Sequence, residues 1–120
     1  MKVNLTITQT YVPEWRGNRS LPEGEQIVVT YRLMSAEQEE RFAKMSAKSD
    51  GKGEYLVNIE PKAVEIFGAC VTHVAGLFDM AGTPITEAKD VLAVPGIYEL
   101  IGDVAAEIKK GMLTEEDSKN

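Results

Sequence analysis

The chain has 120 residues, with 13 Lys and Arg against 19 Asp and Glu, a formal net charge of −6. That length makes one domain with a core large enough to fold without disulfides or metal. The acidic balance argues against a nucleic-acid phosphate partner and against an anionic membrane surface, both of which want a basic face. Cys70 is the single cysteine, so no intrachain disulfide can form and a reducing, cytoplasmic compartment is expected. The opening residues lack the continuous apolar block of a signal peptide.

Val3, Leu5 and Ile7 alternate with Asn4, Thr6 and Thr8, predicting a strand near residues 3–9 with one buried face. Residues 13–24 follow, with Pro13, Gly17, Asn18, Pro22 and Gly24, and read as an irregular connection. It is longer than the two to five or so residues of an ordinary hairpin, so it is either functional or disordered. Alternation resumes over 26–34, with Ile27, Val29, Tyr31 and Leu33 on one face and Val28, Thr30 and Arg32 on the other. The two segments are expected to pair as an antiparallel hairpin.

Ser35 and Gln38 form a capping-box pattern opening a helix to about Lys48, with Phe42 and Met45 inward. Ser49-Asp50-Gly51-Lys52-Gly53 breaks it; the glycines lack the length and the Lys-Ser/Thr ending of a phosphate-binding loop, so they read as a turn. Tyr55, Val57 and Ile59 then alternate, predicting a third strand over 54–59. Pro61 suits the first position of a central helix over 61–78, in which Val64, Phe67, Val71, Val74 and Phe78 recur at three and four. Too many polar residues interrupt that helix for a membrane span.

Ala81-Gly82-Thr83-Pro84 is a turn, and Thr86 is placed to cap a short helix. The last helix starts near Pro95 on the stripe Ile97, Leu100, Ile101, Val104, Ala105 and Ile108, with Gly111 as its stop. The expected fold is α+β: a small antiparallel sheet of about three strands packed against a central buried helix and further helices. It forms a single domain over 1–113, followed by a polar tail over 114–120.

Candidate chemistry is sparse. Cys70 and His73 lie three apart on the expected helix, but two ligands are too few for a metal site, and a Cys–His nucleophile would want a third, orienting group. Glu99, Asp103 and Glu107 fit the solvated face of an amphipathic helix better than a catalytic cluster. We therefore expect no catalytic residue, no cofactor and no metal. Trp15, in a polar loop beside Arg16 and near Arg19, is of the type that anchors interfaces, or else folds back onto the sheet edge as a plug.

Three stretches, taken together, carry a family likeness: Trp15–Val29; Thr83-Pro84-Ile85-Thr86 with Leu92, Pro95-Gly96 and Tyr98-Glu99-Leu100-Ile101; and the ending Leu113–Asn120. In order and spacing they resemble the small tail assembly chaperones of long-tailed, siphovirus-like bacteriophages and prophages. The resemblance implies a non-enzymatic, cytoplasmic protein that binds the tape measure protein and keeps that long helical chain soluble during tail assembly. It further implies a homo-oligomer, with the tail-tube protein as a second candidate partner and neither nucleic acid nor membrane bound. Trp15, Arg16, Leu21, Met112 and Leu113, in or beside irregular segments, are the candidate protein-binding residues. The alternatives are a structural tail or head–tail completion protein retained in the virion, and a small host enzyme or ligand-binding domain.

Overall fold

The computed structural model describes residues 1–3, 7–47 and 55–119, with backbone alone for 43–47, 55–62 and 111–119. Expectations for Leu5, for the 49–53 break, and for the side chains of Met45, Met112 and Leu113 fall outside that description. A three-stranded antiparallel sheet is ordered β1 (Thr8–Tyr11), β2 (Val28–Arg32), β3 (Val71–Ala75). Among the described residues four α-helices accompany it: α1 (Ala36–Ala47), α2 (Tyr55–Cys70), α3 (Ala88–Leu92) and α4 (Tyr98–Lys119). The α+β class and the antiparallel sheet agree with the sequence pattern.

The expected β1–β2 pairing forms, with Thr8 opposite Arg32 and Tyr11 opposite Val29. Residues directly opposite in an antiparallel pair share a face. Gln9 and Tyr11 thus join Tyr31 and Val29 on the inner side, and Tyr31 Oη donates to Gln9 Oε1 at 3.1 Å. The strand begins later than the alternation suggests. Val3 and Ile7 stay exposed, because β1 is the sheet edge and its ladder covers only four residues.

The capping box at α1 is made on both sides. Gln38 N donates to Ser35 Oγ at 3.2 Å, and Ser35 N to Gln38 Oε1 at 3.0 Å. Phe42 is buried as expected. Arg41 reaches Glu65 at 2.9 Å and ties α1 to α2 across their exposed sides.

The middle of the chain departs from expectation. The segment containing Tyr55, Val57 and Ile59 is helix, not strand, and Pro61 lies within α2 rather than opening it. The helix then ends at Cys70, and Val71–Ala75, expected to continue it, forms β3. Val71, Val74 and Phe67 are nevertheless buried, so the apolar stripe points inward although half of it is strand. Val64 and Phe78, assigned to the same stripe, are exposed.

The core lies between the sheet's inner face and the α2–α4 pair. Ile27, Val29, Tyr31, Val71 and Val74 meet Ile66, Phe67 and Cys70 from α2 and the α4 stripe. Every residue of that stripe is buried: Ile97, Leu100, Ile101, Val104, Ala105 and Ile108. Yet α4 does not stop at Gly111 but continues through Met112, Leu113 and the polar segment to Lys119. The short α3 begins at Glu87 without a side-chain cap, so Thr86 does not play that part.

Candidate protein-binding surface

The connection between β1 and β2 is ordered by its own polar groups. Short 3-10 turns occupy it, at Trp15–Ser20, where Arg16 and Gly17 form a non-helical kink, and at Glu23–Glu25. Asn18 is the one buried polar side chain among the described residues. Its Nδ2 donates to the carbonyls of Pro13 (2.8 Å) and Ile27 (3.0 Å), and its Oδ1 accepts from Ile27 N at 2.7 Å. One side chain thus imitates a strand partner for Ile27 and satisfies backbone groups that burial would otherwise orphan. Gln26 Nε2 donates to the carbonyls of Arg19 and Leu21, both at 3.1 Å, and Arg19 Nε to that of Val12 at 2.9 Å. Of the two outcomes the sequence left open for this loop, disorder is not the one found.

Asp103 fastens the loop to α4. Tyr11 Oη donates to its Oδ1 at 2.7 Å and Glu14 N to its Oδ2 at 3.0 Å. Arg19 Nη2 donates in turn to Tyr11 Oη at 3.1 Å. Partial burial, then the bond to a carboxylate, pushes the Tyr11 hydroxyl up to about 12. Asp103 is therefore not the plain solvated carboxylate of its helical spacing; it joins the first strand to the last helix.

Of the expected contact residues, Trp15, Arg16 and Leu21 lie on this loop and Met112 and Leu113 on α4. Trp15 is half-buried and packs against the core, while the Arg16 guanidinium lies 4.4 Å from its ring centroid. Arg16 takes a left-handed backbone, φ 50°, followed by Gly17 at φ 73°, at some steric cost for a residue with a side chain. The plug describes Trp15 better than a free anchor does. Arg16 and Leu21 are exposed on the same loop. Met112 and Leu113 sit on α4, not in irregular chain.

Cys70 and His73 are parted by the change from helix to strand. Cys70 closes α2 inside the core, where burial pushes its thiol up against a smaller opposing influence from Arg32. His73 is on the outer sheet face opposite Thr30 and is exposed. Among the described residues no group of three or more His, Cys, Asp or Glu is placed to hold a metal ion. No described helix is long and apolar enough to cross a membrane.

The turn expected at Ala81-Gly82-Thr83-Pro84 forms, but the hairpin it closes past β3 is a feature that sequence reasoning missed. The chain turns back on itself: Ile85 N donates to Leu77 O at 2.8 Å, Val74 N to Thr86 O at 2.9 Å, and Phe78 pairs with Pro84. The tip is tight. Asp79 Oδ1 accepts from Ala81 N and Thr83 N, both at 2.9 Å, and Gly82 takes φ 84°, the usual chemistry of a three-residue hairpin loop. This hairpin holds Phe78, 58% exposed, and Met80, fully exposed. Phe78 walls an open trough of about 660 Å³, lined also by Val28, Ala75, Gly76, Glu23 and Glu25. Gly76 is indispensable to its floor: a Cβ there would stand 2.3 Å from the Gln26 carbonyl oxygen, at φ 83°. The available signal was Asp79 three residues before Gly82, a turn pattern that ends any helix through Phe78.

Comparison with family models, with curated proteins and with solved structures yields no match.

Proposed function

We propose that the chain is a phage or prophage tail assembly chaperone that binds the tape measure protein and keeps it soluble until the tail tube forms around it. The observation that carries this reading is the ordered likeness of its three segments, Trp15–Val29, Thr83–Ile101 and Leu113–Asn120, to that family. The surface adds support of a physical kind, since Leu21, Phe78 and Met80 offer exposed apolar contacts on a chain of net charge −6. Such a protein acts by binding rather than by catalysis, in the host cytoplasm, and needs no cofactor. Its contacts are Trp15, Arg16 and Leu21 on the first loop, with Met112 and Leu113 on α4.

Co-expression with the tape measure protein tests the reading. The client should remain in the supernatant and co-purify with this chain, and should precipitate without it. Mass spectrometry of purified virions should find no copy of this chain. Its presence at structural stoichiometry would make it a tail or head–tail completion component instead.

A further inference from the structure

We propose that the trough between the Phe78 hairpin and the Glu23–Glu25 turn is a docking site for an amphipathic helix of another polypeptide, apolar on one face and flanked by Lys or Arg. The client identity rests on the chaperone reading; the site and the chemistry of its occupant rest on the geometry.

Three observations select that occupant. First, the apolar surface is preorganised. Asp79 and Gly82 fix the hairpin, and the close approach of Gly76 to Gln26 fixes the opposite wall, so Phe78 is held outward before any partner arrives. Second, among the described residues the strand edges at the trough are already met. β2 lies between β1 and β3, Val74 of β3 donates to the Thr86 carbonyl on its far side, and the Leu77 carbonyl beyond β3 accepts from Ile85. An extended peptide has no strand to join there, which leaves recognition by side chains and favours a helix presenting a row of them. Third, the charge is one-sided. Glu23 and Glu25 line the trough and no described basic side chain does; Arg32 lies at the other end of β2, on the outer face opposite Thr8. Carboxylates at the rim attract a cationic flank and repel an acidic one. A second copy of this chain fits poorly, because the apolar stripe of α4 is spent on its own core and the copy would bring another net −6.

The test uses the full chain and a synthetic peptide of about 14 residues, long enough to become helical on binding, with Leu at i, i+3, i+4 and i+7 and Lys elsewhere. The same peptide with Glu replacing Lys is the control. Calorimetric titration should saturate with the Lys peptide and not with the Glu peptide, and the Phe78 ring resonances should shift as it does. Phe78→Ser should weaken binding by roughly tenfold or more, as loss of an interface anchor does. Glu23→Gln with Glu25→Gln should weaken it and flatten its dependence on salt. Equal binding of both peptides, or undiminished binding by Phe78→Ser with near-ultraviolet dichroism unchanged, would overturn the site. So would a shift of the Phe78 ring resonances driven by protein concentration alone, which would put a second copy there. The client arm separates the two ideas. If the wild-type chain takes the Lys peptide but not the tape measure protein, the chaperone reading fails and the site stands. If Phe78→Ser loses the peptide yet still captures the tape measure protein, the client is held elsewhere and its assignment to the trough falls.

Discussion

Asn18 shows how much one side chain can settle. It closes three hydrogen bonds in a place where water does not reach, and replacing it by Ala leaves the Ile27 amide and carbonyl without that partner. The expected loss is about 2–3 kcal/mol, larger than an ordinary surface change, and is read from urea denaturation midpoints at unchanged m-value. Tyr11 supplies a pH dependence of known sign. The neutral hydroxyl is the donor to Asp103, and its folded pKa, about 12, lies above its ordinary value of 10. The bond therefore contributes fully below pH 10 and is lost as pH rises toward 12. Tyr11→Phe should lower the melting temperature at pH 7 and show a smaller further fall between pH 10 and 12 than the parent, which thermal melts across that range would display.

At the scale of elements, β3 accounts for the main disagreement between pattern and structure. Tyr31 stands opposite Val71, and Thr30 opposite His73, so Thr72 is an extra residue at a bulge. Both Thr72 and His73 then face outward, and the buried positions, Val71 and Val74, fall three apart. A bulged strand thereby copies the spacing of a helix, and periodicity alone joins it to the real helix before it. The converse happens at Tyr55, Val57 and Ile59, where five residues of alternation are too few to tell strand from a helix that runs on to Cys70. Where the signals were local and redundant they were legible: the Ser35–Gln38 box, the β2 alternation and the α4 stripe. The trough was not, because it joins Glu23 to Phe78 across 55 positions with no shared motif. The bulge also predicts a mutational contrast. Val71→Asp should cost several kcal/mol by burying an unpaired carboxylate, whereas His73→Asp, two positions on but exposed, should stay within about 0.5 kcal/mol. Equal losses in denaturant would put the two side chains on one face, as in a strand without the bulge.

For the whole molecule, the proposed role asks for many copies along an extended client, and a closed homo-oligomer would repeat one binding surface around it. Light scattering should then return a mass above the 13.2 kDa of one chain, falling toward it on dilution. A constant 13.2 kDa over a wide concentration range would remove self-association from the proposal. The Asp103 fastening has a consequence for biosynthesis. Tyr11 and Glu14 are made early, and their partner is 92 and 89 positions away. At roughly 5–20 residues per second on a ribosome, the first strand and its loop wait about 5–20 s for that carboxylate to be translated. β2 also waits for β3, and the inner face of both for the α4 stripe, so the nascent strands carry that apolar face uncovered until α4 has been translated. A protein proposed to shelter another chain's exposed helices thus passes through its own interval of exposure first.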